Sequence, residues 1–174
     1  AYEHKRFSGM YYTPQMIVNG KYQTLGHNRA NAFNAINRSL KLPAKVAVSV
    51  RQVKKEDGAI AVNACTLGKF ENAALCVALV EHGIKRRITG GENKDRTLSM
   101  DNVVLEFQCV DLAGPVGHEF TFKLEFAPGE KGRNLGAVAF VQRTDNLDVL
   151  GAQSTRIQLQ SVEESNKEPS HNFQ

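Results

Sequence analysis

The chain has no tryptophan, three cysteines, five prolines and five histidines among its 174 residues, and no long apolar run. Each shortage excludes something. No window approaches 18 apolar residues, so no membrane span by a helix is expected. Cys65, Cys76 and Cys109 form no CxxC pair, and none lies near two histidines. Zinc sites need such clusters, so no metal site is expected. His4, His27, His82, His118 and His171 are dispersed. No GxSxG, HExxH or DxDxDG pattern occurs. Glu81-His82 and His118-Glu119 are neighbours in strand-like segments, where adjacent side chains point to opposite faces. We therefore assign no catalytic residue and no cofactor. The net charge is +4, and the densest basic run is Lys85-Arg86-Arg87. It has no interleaved aromatics, so no nucleic-acid partner is expected.

What is present suffices for a core. Hydrophobic residues make up 41% and charged residues 23%, with nine Phe and four Tyr. Residues 1–9 read as the end of a helix closed by Gly9. Met16-Ile17-Val18 is a short strand. Asn19-Gly20 follows, a pair that tolerates two successive positive φ angles and signals a hairpin. Lys21-Tyr22-Gln23 returns. Asn28 is placed to cap a helix. Ala30, Phe33, Ile36 and Leu40 recur at helical spacing after it, and Pro43 stops it.

From residue 45 the apolar period is two. Val46, Val48 and Val50 alternate, as do Ile60, Val62 and Ala64, and then Leu75, Val77 and Leu79. Val103, Leu105, Phe107 and Cys109 share a phase. Phe120, Phe122, Leu124 and Phe126 alternate with Glu119, Thr121, Lys123 and Glu125. Residues 135–143 and 155–160 complete seven strands separated by Gly-, Asn- and Pro-containing turns. This pattern predicts an antiparallel β-sandwich with one buried face per sheet. The last fourteen residues, 161–174, are polar and should order only against a partner or the sandwich itself.

Three constellations stand out. Thr13-Pro14 precedes the first strand, and an X-Pro bond is where a cis peptide occurs. Gly90-Gly91-Glu92-Asn93 reads as a shaped structural loop in which Glu92 fixes the turn through backbone N–H groups. A phosphate cradle would need a helix after it. A strand follows instead. Cys109 reads as a buried apolar residue. Cys65 and Cys76 fall on the outer faces of their strands. A hairpin of residues 59–66 with 74–81 would set them opposite one another, either as a cross-strand disulfide or as two unrelated thiols.

The segments YYTPQMIVNGK and GENKDRTLSMDNVV resemble the secreted thioredoxin-like bacterial proteins of domain-of-unknown-function family 1223 and the related outer-membrane 28 kDa proteins. The resemblance covers most of residues 7–110. It implies an α+β fold: the C-terminal half of a thioredoxin-like domain over residues 1–43, then the β-sandwich over 44–160 and a tail over 161–174. It also implies that Thr13 and Pro14 form a cis-proline peptide-binding loop. Family members carry an N-terminal cysteine motif that is absent here. The expected function is a non-catalytic accessory or binding subunit of an exported bacterial complex, periplasmic or secreted. A protein partner would cover the open strand edge near Met16–Val18 and order residues 161–174. The alternative is a fragment of a periplasmic thiol–disulfide oxidoreductase whose CxxC lies upstream of residue 1.

Overall fold

Alternation of apolar and polar residues from Val46 onward produces two stacked antiparallel sheets. The computed structural model describes residues 12–56, 58–114, 117–125 and 134–157. Among the described residues eleven strands and one helix follow in order: β1 Gln15–Val18, β2 Tyr22–Leu25, α1 Arg29–Leu40, β3 Val46–Glu56, β4 Ala59–Gly68, β5 Ala73–Glu81, β6 Ile84–Arg87, β7 Thr97–Met100, β8 Val103–Leu112, β9 His118–Glu125, β10 Leu135–Arg143 and β11 Val149–Ile157. One sheet has the order β11-β10-β5-β8 and the other β3-β4-β9. Both are antiparallel throughout. Small two-stranded ribbons, β1-β2 and β6-β7, stand beside them.

The core lies between the two sheets. Val46, Ile60, Val62, Phe122 and Leu124 face Leu75, Val77, Leu79, Leu135, Ala137 and Val141. Full burial of each such Leu, Ile or Val contributes about 1.5–3 kcal/mol. The sandwich closes where β11 crosses β3. There the Lys45 N–H donates to the Leu150 carbonyl at 2.8 Å. Gly151 permits the crossing, since a Cβ on it would sit 1.9 Å from the Val46 carbonyl oxygen.

Six of the seven expected strands are β3, β4, β5, β8, β9 and β10; the seventh, expected over residues 155–160, starts earlier as β11 Val149–Ile157, and residues 158–160 lie outside the described residues. The α+β assignment with a thioredoxin-like half does not hold. The molecule is predominantly β, built of several antiparallel sheets with one twelve-residue helix among the described residues. The predicted local order of hairpin then helix is present, but β1 and β2 pair only with each other among the described strands. They form a ribbon laid against the sandwich: the Val149 N–H donates to the Asn19 carbonyl at 3.0 Å.

Two further expectations change. The Asn28 cap is present, its Oδ1 accepting the Asn31 N–H at 3.0 Å. The buried face of α1, however, is Ala35 and Ser39. Phe33 is 54% exposed and Leu40 77%. Small residues let the helix sit close on its neighbours and leave the bulky ones outward. In β8 the pairing register with β5 shifts between Leu79 and Val80, so that Glu106 faces Leu79 and Val104 faces Val80. The extra residue, Leu105, reverses the phase of the strand. Leu105, Val110 and Leu112 pack on the core, whereas Phe107 and Cys109 turn outward. The readings of residues 1–9, of residues 161–174 and of Phe126 lie outside the described residues.

Candidate functional site

The cysteines show what the β8 bulge does. Cys109 lies opposite Cys76 in register, and the two form a disulfide on the outer face of the larger sheet. The Cys65–Cys76 bond, one of the two alternatives for that pair, is absent because β4 and β5 do not form a hairpin. They belong to different sheets. Cys65 is a buried free thiol on β4, between Ser49 and Glu119 of the adjacent strands. Its Sγ lies 3.8 Å from Asn63 Oδ1. Nothing in the spacing of the sequence identifies the bulge, so Cys109 is misplaced by periodicity alone.

The Thr13–Pro14 peptide is cis. Both residues are exposed, and the Pro14 carbonyl accepts the Gly26 N–H at 2.7 Å. That carbonyl is thus engaged within the chain's own hairpin. The cysteines lie on β4, β5 and β8, not on this ribbon.

The Gly91-Glu92-Asn93 loop caps the β6-β7 ribbon. Backbone bonds close it: Lys94 N–H to Gly91 O at 3.0 Å, Asp95 N–H to Ile88 O at 2.8 Å and Arg96 N–H to Asn93 O at 3.1 Å. Gly91 and Asp95 take positive φ. Asn93 does not. Glu92 is exposed, and the closing bonds are made by the backbone rather than by its carboxylate. Lys85, Arg86 and Arg87 are exposed along β6. Arg87 meets Asp95 at 3.3 Å.

Among the described residues no group of three or more His, Cys, Asp or Glu side chains could hold a metal ion. No helix there is long and apolar enough to cross a membrane. The structure does unite one acid with one imidazole: His82 Nδ1 lies 3.1 Å from Asp101 Oδ1, which also accepts the Gly83 N–H at 3.1 Å. The Gly83 bond is the leading cause that holds the Asp101 carboxyl below its usual range, with His82 adding to it. Sequence neighbours hid this pair, because His82 meets Asp101 across the base of the β6-β7 ribbon and not Glu81 beside it.

The feature with most functional content is the hairpin–helix surface. Met16, Ile17 and Val18 are half-buried, and the outer edge of β1 pairs with no described strand. Exposed Leu25, Phe33, Leu40 and Leu42 belong to the segment that follows, all within residues 25–42. Arg29 covers one side of the Phe33 ring, 5.8 Å from its centroid. Scattered apolar side chains on a surface are ordinary; here four exposed ones lie in one hairpin–helix segment whose first strand has an edge unpaired among the described strands.

Comparison with known proteins bears on the fold and the family. A crystal structure of a protein from Agrobacterium tumefaciens is similar at TM-score 0.57 and 18% identity, over 94% of this chain and 70% of that one. That likeness concerns fold. A β-glucosidase from Kluyveromyces marxianus aligns at TM-score 0.31 and 14% identity, over 65% of this chain and 14% of that one. No curated protein matches the chain. The family model for proteins of unknown function DUF1223 matches residues 1–142, and this chain belongs to that family.

Proposed function

We propose that the chain is a non-catalytic binding subunit of an exported bacterial assembly, and that the hairpin–helix surface is where its protein partner docks. The observation that carries this reading is the conjunction of a free β1 edge with four exposed large apolar residues, Leu25, Phe33, Leu40 and Leu42. A two-stranded ribbon is marginal by itself. A strand from a partner would satisfy the backbone groups along Gln15–Val18, and its neighbouring side chains would cover Phe33 and Leu40. Strand addition of this kind draws affinity from main-chain bonds and specificity from the pockets beside them. The Cys76–Cys109 disulfide supports placing the chain in an oxidising compartment, periplasmic or extracellular.

The test is reconstitution. The tagged chain is isolated from its source under mild conditions, co-purifying proteins are identified, and each is expressed and mixed with it. A stoichiometric complex that the double substitution Phe33→Asp, Leu40→Asp dissolves supports the reading. A partner that binds this double variant as well as the unaltered chain removes it, as does a chain that remains alone throughout.

A further inference from the structure

The Cys76–Cys109 disulfide has one sheltered side and one open side. Cys76 is 3% exposed, whereas Cys109 is exposed. The sheet order explains the difference. Cys76 lies on β5, inside the sheet, with Phe140 of β10 and Cys109 of β8 each directly opposite it in register. Phe107 of β8 and Phe140 of β10 bring their ring centroids to 6.1 Å. β5 runs between those two strands, so the rings meet above it and roof the Cys76 side of the bond. Cys109 stands on the outermost strand, and no described strand lies beyond β8. The neighbouring Gln108 turns to the inner face and donates to the Lys123 carbonyl of β9 at 2.8 Å. The closed side of this edge is therefore the inner one.

In thiol–disulfide exchange a thiolate approaches along the S–S axis, behind the sulfur it attacks, and access decides which sulfur reacts. Past Cys76 that axis runs toward the Phe140 ring. Past Cys109 it runs off the β8 edge. The pairing of β5 with β8 extends on both sides of the cysteines, from Ala73 with Leu112 to Glu81 with Val103, so the strands stay joined when the bond opens. Asp111 follows two residues on along the same face, a step of about 7 Å in a strand. It is exposed and shares a hollow with Glu71. Negative charge beside the open sulfur disfavours an anionic thiol and favours a cationic one.

We propose that Cys76–Cys109 is a reversible exchange site, attacked at Cys109 Sγ by a small cationic thiol while the chain stays folded. The thiolate sulfur bonds to Cys109 Sγ as the bond to Cys76 breaks. The electron pair leaves on Cys76 Sγ, which takes up a proton and remains beneath the two rings as a thiol, the form that apolar burial favours. One disulfide replaces another, so no further oxidant or reductant is required. Return of the Cys76 thiolate to Cys109 expels the small thiol and restores the original bond. The site lies on β5 and β8, apart from the hairpin–helix surface, and does not depend on docking there.

Cysteamine is the probe, added in excess to the folded full chain without denaturant, with acid quenching and peptide mapping over time. The adduct is expected on Cys109, at a rate linear in thiolate concentration and unchanged by urea below the unfolding transition. Per thiolate, cysteamine should react about threefold faster than thioglycolate at low salt, the ratio falling toward one as salt screens Asp111. Phe140→Ala should open the second path, so that adducts on Cys76 appear as well. If circular dichroism shows that variant unfolded, Phe107→Ala replaces it, altering a ring already 50% exposed. The proposal is overturned if no adduct forms, if the adduct forms on Cys76 in the unaltered chain, or if the rate rises with urea in step with unfolding. It is equally overturned if a folded roof variant still reacts at Cys109 alone, or if thioglycolate matches cysteamine at low salt.

Discussion

Val149 donates its backbone N–H to the Asn19 carbonyl at 3.0 Å, joining the turn of the N-terminal ribbon to the start of β11. Asn19 and Gly20 both have positive φ, and the Lys21 N–H closes the turn on the Val18 carbonyl at 3.0 Å. The turn therefore serves two ends. It reverses the chain, and it presents a carbonyl to the sandwich. The platform on which Phe33 and Leu40 stand depends on that attachment.

Gly20 makes the attachment possible. Its φ is +67°, and a Cβ there would lie 1.7 Å from the Leu147 carbonyl oxygen. Gly58 has nearly the same φ, +68°, with open space around it. Gly58→Ala should cost about 1–2 kcal/mol, from the left-handed backbone alone. Gly20→Ala should cost clearly more, because the ribbon must also move off the β10–β11 loop. Urea unfolding of the two variants side by side measures the difference. Equal losses would mean that the ribbon is not packed as described.

The disulfide gives a second prediction. Cys76 and Cys109 are 33 residues apart in sequence, and a loop of that size stabilises by roughly 3–4 kcal/mol in the chain-entropy picture. Reduction, or Cys76→Ser with Cys109→Ser, should lower unfolding free energy by about that amount. Cys65→Ala should leave the bond in place. Non-reducing peptide mapping should find Cys76 linked to Cys109 and one free thiol at Cys65. A Cys65–Cys76 peptide would contradict the strand order.

These two predictions mark what the sequence could and could not tell. Strict alternation in Phe120, Phe122 and Leu124 was enough to place β9 with its inner face correct. The Asn28 cap and the Asn19-Gly20 turn were equally local and equally legible. Pairing was not, because a period of two identifies a strand without identifying its neighbours. Cys65 therefore appeared to face Cys76 when β4 and β5 belong to separate sheets. The β8 bulge was silent as well, since one inserted residue reverses a face without altering composition. The exposure of Phe33 and Leu40 follows from close packing of Ala35 and Ser39, a tertiary fact that helical spacing alone does not contain.

Thr66 is 4% exposed, and its hydroxyl is buried without a hydrogen-bond partner. Thr66→Val keeps the branched shape that a strand favours and removes the orphaned oxygen. The variant should be neutral or more stable by up to about 1 kcal/mol. Thermal unfolding measures it. A loss of stability would mean that the hydroxyl is satisfied in solution.

The turn between β10 and β11 should be acid-sensitive. Arg143 Nε donates to Asp145 Oδ1 at 2.8 Å, and its Nη2 reaches the second carboxylate oxygen. That side-chain pairing, helped by the Asn146 N–H, lowers the Asp145 carboxyl from 3.8 to about 2. A carboxyl lowered on folding adds stability above its unfolded value, and this is lost as pH falls toward the folded one. Asp145→Asn should therefore differ from the unaltered chain at pH 7 and converge with it near pH 2. A difference that persists unchanged at pH 2 would show that the pairing is not its source.

The central claim is that the β1 edge awaits a partner's strand. Amide hydrogen exchange over Gln15–Val18 tests it most directly, measured on the isolated chain and again in the reconstituted complex. The account predicts rapid exchange of the outward amides in the isolated chain and marked protection in the complex. Slow exchange in the isolated chain, or no change on complex formation, would contradict it.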